Sequence, residues 1–260
     1  MSEIVLYETS HNVATITLNR PEVRNAINDA LIVGVRAAFE RARDDAEVRA
    51  VVLAGAGKGF CAGADLAGFG QQLTPDDVAT YIVEKYQPLM QLICTLPKPV
   101  IGAINGVAAG AGASLALACD LRVMADDAAL MMAFSNIGLV PDAGATWFLA
   151  RQVGYSRAFE IASEAERIGA ARCLELGLAN RVAPAAELLQ AAHAWAERLA
   201  LRPTLALGLT KRALYRALET DLTDAIAYEA ELQKQTIVSH DHREGVTAFQ
   251  ERRAPVYKGR

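Results

Sequence analysis

Histidine and cysteine are scarce, with four of each in 260 residues. The histidines form no metal-ligand pattern. His240 and His242 stand two apart and would not share a helix face. Cys61, Cys94, Cys119 and Cys173 are widely spaced and include no CxxC pair. This is neither a disulfide framework nor a cysteine metal site; they read as reduced, mostly buried thiols of a cytoplasmic protein. Basic residues are not in excess: Lys and Arg number 26 against 30 Asp and Glu, a formal net charge of −4. No global charge therefore favours nucleic-acid binding. The start, Met1-Ser-Glu-Ile-Val, lacks a basic region and an apolar run, so no secretory signal is expected. Internal repeats and low-complexity segments are absent. The longest uncharged stretch lies between Lys98 and Asp120, close to the ~20 residues of a membrane span. Its glycines and Asn105 argue against one, and no membrane partner is expected.

What is present is an ample core: 52% of the residues are hydrophobic, enough for one large domain, or one with a small appendage. The chain is organised around that same stretch. Val100 to Ile104 is a β-branched run bounded by Pro99 and Gly106 and reads as a buried strand. Asn105-Gly106 is a turn signal. Ala111 to Ala118 reads as a small-residue helix. Earlier, Ile4–Thr9 and Val13–Leu18 read as a hairpin. Asn28 or Asp29 can cap a helix running to about Arg43, and Val48–Ala54 is the next strand. A helix is expected from about Asp76 to Leu92 or beyond, with Pro75 ahead of it. Asp120–Ala125 and Ala129–Ala133 are candidate strands. Helices dominate from about Thr146, interrupted by a short strand at Arg181–Ala183. Strands with helices early and only helices late predict an α/β core over 1–195 and a helical region over 196–260.

Three features could carry chemistry. In Gly55-Ala-Gly57-Lys-Gly59-Phe60, the last glycine of a dinucleotide fingerprint is replaced by Phe60. Lys58 lacks both the preceding glycine of a phosphate loop and a following Ser or Thr. What remains is a small-residue loop whose N–H groups can line a pocket. The glycine-rich turn before Ala111 opens a helix whose first N–H groups are unpaired and carry partial positive charge. It can hold a negative oxygen or simply pack tightly through small residues. Asp142 follows Pro141 among Phe134, Ile137, Leu139, Val140, Trp147 and Phe148. It is either an N-cap or a carboxylate whose apolar setting raises its pKa and suits it to proton transfer. Asp120 reads as structural.

Three ordered motifs resemble the crotonase superfamily, the enoyl-CoA hydratases and isomerases. They are Gly59-Phe60-Cys-Ala62-Gly63-Ala64-Asp65-Leu66, then Asn105-Gly106-Val-Ala-Ala-Gly110-Ala111-Gly112 with Cys119-Asp120, then Gly138-Leu-Val-Pro141-Asp142-Ala-Gly144. The resemblance spans the chain, from Asn19-Arg-Pro21 with Asn25-Ala26 to Phe249-Gln-Glu-Arg252-Arg253. It implies a spiral of ββα units with a helical C-terminal oligomerisation region, assembled as a trimer or a dimer of trimers. It implies an acyl-CoA thioester substrate, with coenzyme A as part of the substrate and no separate cofactor or metal.

By the same resemblance, the thioester oxygen is held by the Ala64 and Ala111 N–H groups as it becomes an enolate. Two such donors are worth about 3–4 kcal/mol each by analogy with other oxyanion holes. The adenine end would lie against the backbone of Ala62, Gly63, Asp65 and Leu66, with Gly110 also at the substrate. Arg24 would sit near the phosphates, and Arg252 would reach the coenzyme of a neighbouring subunit. Each arginine is equally readable as a solvated surface charge. The two glutamates with which hydratases activate water map onto Ser114 and Phe134, and neither can act as a carboxylate base. The acidic residue left is Asp142, as in the branch that isomerises ring-epoxide phenylacetyl-CoA and shifts enoyl-CoA double bonds. The expected activity is acyl-CoA isomerisation. The alternatives are an enoyl-CoA hydratase and a non-catalytic acyl-CoA-binding member.

Overall fold

A computed structural model describes residues 3–66 and 74–260. The chain opens with the hairpin β1 (Val5–Ser10) and β2 (Val13–Leu18), paired from Val5 with Leu18 to Ser10 with Val13. Its two-residue turn, His11-Asn12, has φ of 49° and 62°. That is the left-handed pair which matches the twist of flanking strands. Asn28 caps α1 (Asp29–Asp44) by accepting from the Leu31 N–H at 3.0 Å, which decides between the two candidate caps.

From here strands come in successive pairs that go to different sheets. β3 (Ala50–Gly55), β5 (Val100–Ile104), β7 (Leu121–Ala125) and β10 (Arg181–Ala183) join the hairpin in a six-stranded sheet, ordered β1-β2-β3-β5-β7-β10. All its pairings after the hairpin are parallel. β4 (Gly59–Cys61), β6 (Val107–Ala109), β8 (Ala129–Met131) and β9 (Ile168–Gly169) form a second, four-stranded sheet. In three successive turns of the spiral, begun by β3-β4, β5-β6 and β7-β8, a strand in the first sheet is followed by a strand in the second and then by helix. This is the α/β architecture expected from the resemblance. β3 and β5 are nearly all apolar because both faces of a parallel sheet are covered; β5 is buried throughout.

The helix after the undescribed segment starts at Pro75, with Thr74 and Asp77 forming a capping box. It runs as α2 (Pro75–Tyr81), a π-turn over Ile82–Tyr86 and α3 (Gln87–Thr95). α4 (Ala111–Ala118) is buried along its whole length, which explains its lack of any polar face. α5 (Ala145–Val153), α6 (Tyr155–Glu164) and α7 (Ala170–Glu175) follow. α8 (Leu188–Ala200) crosses residue 195 and buries Ala192, Ala196 and Ala200 while packing on β3, β5 and β7. α9 (Thr204–Ala217), α10 (Leu222–Thr236) and α11 (His240–Glu251) complete the helical C-terminal region. None of the four cysteines forms a disulfide. Among the described residues no helix is long and apolar enough to cross a membrane.

Candidate active site

The loop after β4 and the start of α4 are clamped together by contacts that only glycine allows. A Cβ on Gly63 would lie 2.8 Å from the Ala109 carbonyl oxygen and 3.5 Å from the Ala111 nitrogen. A Cβ on Gly112 would overlap the Cys61 carbonyl. These approaches bring Ala64 and Ala111 side by side from segments nearly fifty residues apart. Ala64 sits in an isolated bridge with Ile27, in which the Ile27 N–H donates to the Gly63 carbonyl (2.7 Å) and the Asp65 N–H to the Ile27 carbonyl (2.9 Å). The Ala64 N–H falls between those bonds and meets no acceptor among the described residues. In α4 the first bonds are made by the Ala113 and Ser114 N–H groups to the Gly110 carbonyl. The Ala111 N–H is therefore one of the helix's unpaired donors, at its positive end. Two unspent donors held by rigid neighbours are the requirement for stabilising a developing oxyanion.

Asp142 lies half-buried in the loop before α5. The helix is capped by Gly144 with no side-chain hydrogen bond, so the N-cap alternative for Asp142 fails. Its backbone carbonyl accepts from the Ala145 N–H (2.9 Å) and from the Ser114 hydroxyl (3.1 Å). Ser114, fully buried on α4, thus anchors the loop to the helix that bears Ala111. Ala143 and Gly144 follow in left-handed backbone, with φ of 50° and 83°. For Ala143 that conformation carries strain, of a kind that persists where surrounding structure imposes it. Asp142 Oδ1 is buried without a hydrogen-bond partner among the described residues. Burial pushes its carboxyl up to about 6. A carboxyl poised near neutrality and left unpaired can take and return a proton.

Phe134 is buried, with its ring tip 3.9 Å from where a Cβ on Gly110 would stand. It puts an apolar wall beside the α4 N-terminus. Ala62 and Leu66 are exposed, and Gly63 is buried. Asp65 is engaged by Arg20 in a 2.9 Å ion pair, so its side chain braces the loop. Arg24 is exposed, in left-handed backbone with φ of 52°, and its carbonyl accepts from the Ala62 N–H. Arg252 is also exposed, at the end of α11. Asp120 is structural as expected, accepting from the Val100 N–H and pairing with Lys211 at 2.9 Å.

Sequence reasoning missed the work of Asn25. It is fully buried, and its amide donates to the carbonyls of Ala56, Gly59 and Phe60 while its oxygen accepts from the Arg20 N–H. It holds the loop leading to Ala64. A lone Asn in a polar stretch gave no sign of this, because the carbonyls its amide holds lie more than thirty residues away. Tyr86 was missed as well; its hydroxyl, near Asp142, is likewise buried and without a hydrogen-bond partner among the described residues.

Residues 8–260 match the family model described as enoyl-CoA hydratase/isomerase. The chain belongs to the enoyl-CoA hydratase/isomerase family. It is 46% identical over 257 residues to a "probable enoyl-CoA hydratase" of Rhodobacter capsulatus, covering 98% of each chain. To the 1,2-epoxyphenylacetyl-CoA isomerase of Escherichia coli it is 39% identical over 262 residues, covering 100% of both. The crystal structure of an enoyl-CoA hydratase from Bacillus anthracis superposes with a TM-score of 0.94 at 34% identity, covering 99% of this chain and 100% of that one. The family accounts for the fold and for an acyl-CoA thioester as the kind of substrate. Relatives bearing either reaction name match along the whole chain, the probable hydratase at the higher identity, so the names do not separate the two reactions and the residues of the site must.

Proposed function

We propose that this enzyme is an acyl-CoA isomerase, moving a proton and with it a double bond through a thioester enolate. The observation that carries this reading is the half-buried carboxyl of Asp142, whose Oδ1 has no partner among the described residues, together with Ser114 and Phe134 standing at the two positions where a hydratase would carry glutamates. Ionised Asp142 takes a proton from a carbon next to the thioester or at the far side of a neighbouring double bond. The electron pair released from that C–H bond moves toward the thioester, whose oxygen gains charge between the Ala64 and Ala111 N–H groups. Asp142, now protonated, returns the proton to a different carbon, and the enolate collapses to the shifted alkene. Protons and electrons balance within substrate and Asp142, so the steps need neither metal nor redox cofactor.

Coenzyme A lies along Ala62–Leu66 in this reading, with Arg24 near its phosphates. The protein is cytoplasmic and works as a trimer or dimer of trimers, with residues 196–260 as its oligomerisation region. Arg252 reaches a neighbouring subunit's coenzyme. A hydratase reading is favoured by the name of the Rhodobacter relative, and it requires activated water. A serine hydroxyl is neutral near pH 7 and can orient water without readily taking its proton. Phe134 displaces water. A purely binding member is disfavoured by the elevated pKa of Asp142. A panel of acyl-CoAs followed by absorbance and mass tests the reading. Double-bond migration without mass gain supports it, and a gain of one water as the main product overturns it.

A further inference from the structure

The helix between Pro75 and Thr95 is widened at one place. Residues Ile82–Tyr86 form a π-turn, closed by the Gln87 N–H donating to the Ile82 carbonyl five residues back. Pro88 accounts for it: a proline offers no N–H and its ring collides with the carbonyl four residues earlier in a regular helix. The wider turn relieves that clash, and such turns gather at functional sites. It also fixes the direction of Tyr86 at its end. Tyr86 is 2% exposed and meets the Tyr81 ring edge-on at 5.5 Å.

The Tyr86 hydroxyl is buried and has no hydrogen-bond partner among the described residues, the same condition as Asp142 Oδ1. Buried donors are nearly always satisfied, so two orphans in one neighbourhood call for a joint explanation. α4 touches both residues. Ser114 holds the Asp142 carbonyl, and the next residue, Leu115, lines a small space with Tyr86. One turn beyond Tyr86, Met90 borders a groove of about 600 Å³ together with Ala143 and Gly144, the residues after Asp142. The titratable groups facing Tyr86 are Asp142 from the loop before α5, Tyr81 from its own helix, Cys61 from β4 and Asp29 from α1. Tyr81 interacts with Asp29. Burial pushes the Cys61 thiol up to about 12, so it stays neutral. Burial, and then the charge of Asp142, hold the Tyr86 phenol far above its ordinary range, so it remains a donor at working pH.

We propose that Tyr86 is a positioning residue for Asp142: its hydroxyl donates across one water to the ionised Asp142 carboxylate. The inference rests on the reading of Asp142 as the proton carrier. Tyr86 itself makes and breaks no covalent bond. It stabilises the charged form of the base and leaves the other carboxylate oxygen to face the substrate.

Tyr86→Phe keeps the ring and removes the oxygen. The test is kcat/KM against pH for double-bond migration, whose acidic limb reports ionisation of the base in the free enzyme. Removing a donor to a charged group moves that limb upward by about one unit. Activity then falls roughly tenfold below the limb and returns toward wild type at high pH. A packing role would lower turnover evenly at all pH values with the limb unmoved, and that result overturns the proposal. If the variant turns over too slowly to profile, infrared titration of the Asp142 carboxyl, with Asp142→Asn as the blank, gives the same midpoint directly. An unshifted midpoint again overturns it. Migration surviving in Asp142→Asn would instead remove the proton-carrier reading, and the infrared midpoint would still decide whether the two groups are paired.

Discussion

Asp142 combines two properties that a stable fold would avoid together: a carboxyl held near pH 6 by burial, and an oxygen with no direct donor among the described residues. Its folded pKa lies above the unfolded value, so folding is penalised wherever the group must ionise and unpenalised below about pH 4. Asp142→Asn is therefore expected to fold and bind acyl-CoA while losing ~10²–10⁴-fold in isomerisation rate. At pH 8 it should also be more stable than wild type by about 1–2 kcal/mol, allowing for the group's partial exposure. The gap should close as pH falls through 6 toward 4. Calorimetry across pH and a migration assay check both halves. A lower melting temperature with turnover intact would mean that Asp142 is a structural residue. Ser114→Ala removes the hydroxyl that holds the Asp142 carbonyl at 3.1 Å. About 0.5–1.5 kcal/mol of stability should go with it, and kcat should fall more than KM changes, because the base loses its anchor while the binding backbone stays. Equal stability and kcat would show the hydroxyl to be a spectator.

The elements matter here through how closely they approach one another. Gly112→Ala would drive a methyl group into the Cys61 carbonyl and push α4 away from β4. A destabilisation of about 1–3 kcal/mol is expected, with a larger loss of kcat, because the Ala64 and Ala111 donors would separate. Gly169→Ala, with φ of −64° and open space around the new methyl, should change neither and serves as the control. How much of this was legible in the sequence varied by element. The long β-branched strands, the Asn12 turn and the helices after Thr146 announced themselves through local pattern. β4, β6 and β9 did not, being two or three residues long and fixed by partners far along the chain. Of the two readings of the glycine-rich turn, geometry keeps both: tight packing at Gly63 and Gly112 is what leaves the two N–H groups free. The cap or base question for Asp142 had no local answer, because the cap position falls two residues later, at Gly144. Tyr86 was hidden for the same reason as Asn25, its neighbour Asp142 lying in another element. Pro88, which sets its direction, read only as part of a helix.

At the scale of the whole molecule, one subunit leaves much apolar surface uncovered. Of the apolar positions after residue 195, Leu209 is buried and Leu205 half-buried within the subunit, so these two do not need a partner. Leu214, Leu218, Leu222 and Ile226 are all more than half exposed, and Phe249 is 85% exposed. A groove of about 830 Å³ between α9, α10 and α11 includes Leu214 and Phe249 in its walls. Patches of this kind mark interfaces. Light scattering at micromolar concentration is expected to give a trimer or hexamer, and a monomer would contradict the assembly proposed above. The central claim, proton shuttling without water addition, has a more direct test. Purified wild-type protein is incubated with crotonyl-CoA in heavy water, and the acyl-CoA is weighed by mass spectrometry. The account predicts successive gains of one mass unit, as Asp142 exchanges protons beside the enolate, and no product carrying an added water. Addition of heavy water at rates typical of enzymes, roughly 1–10³ per second, would contradict it and make the protein a hydratase.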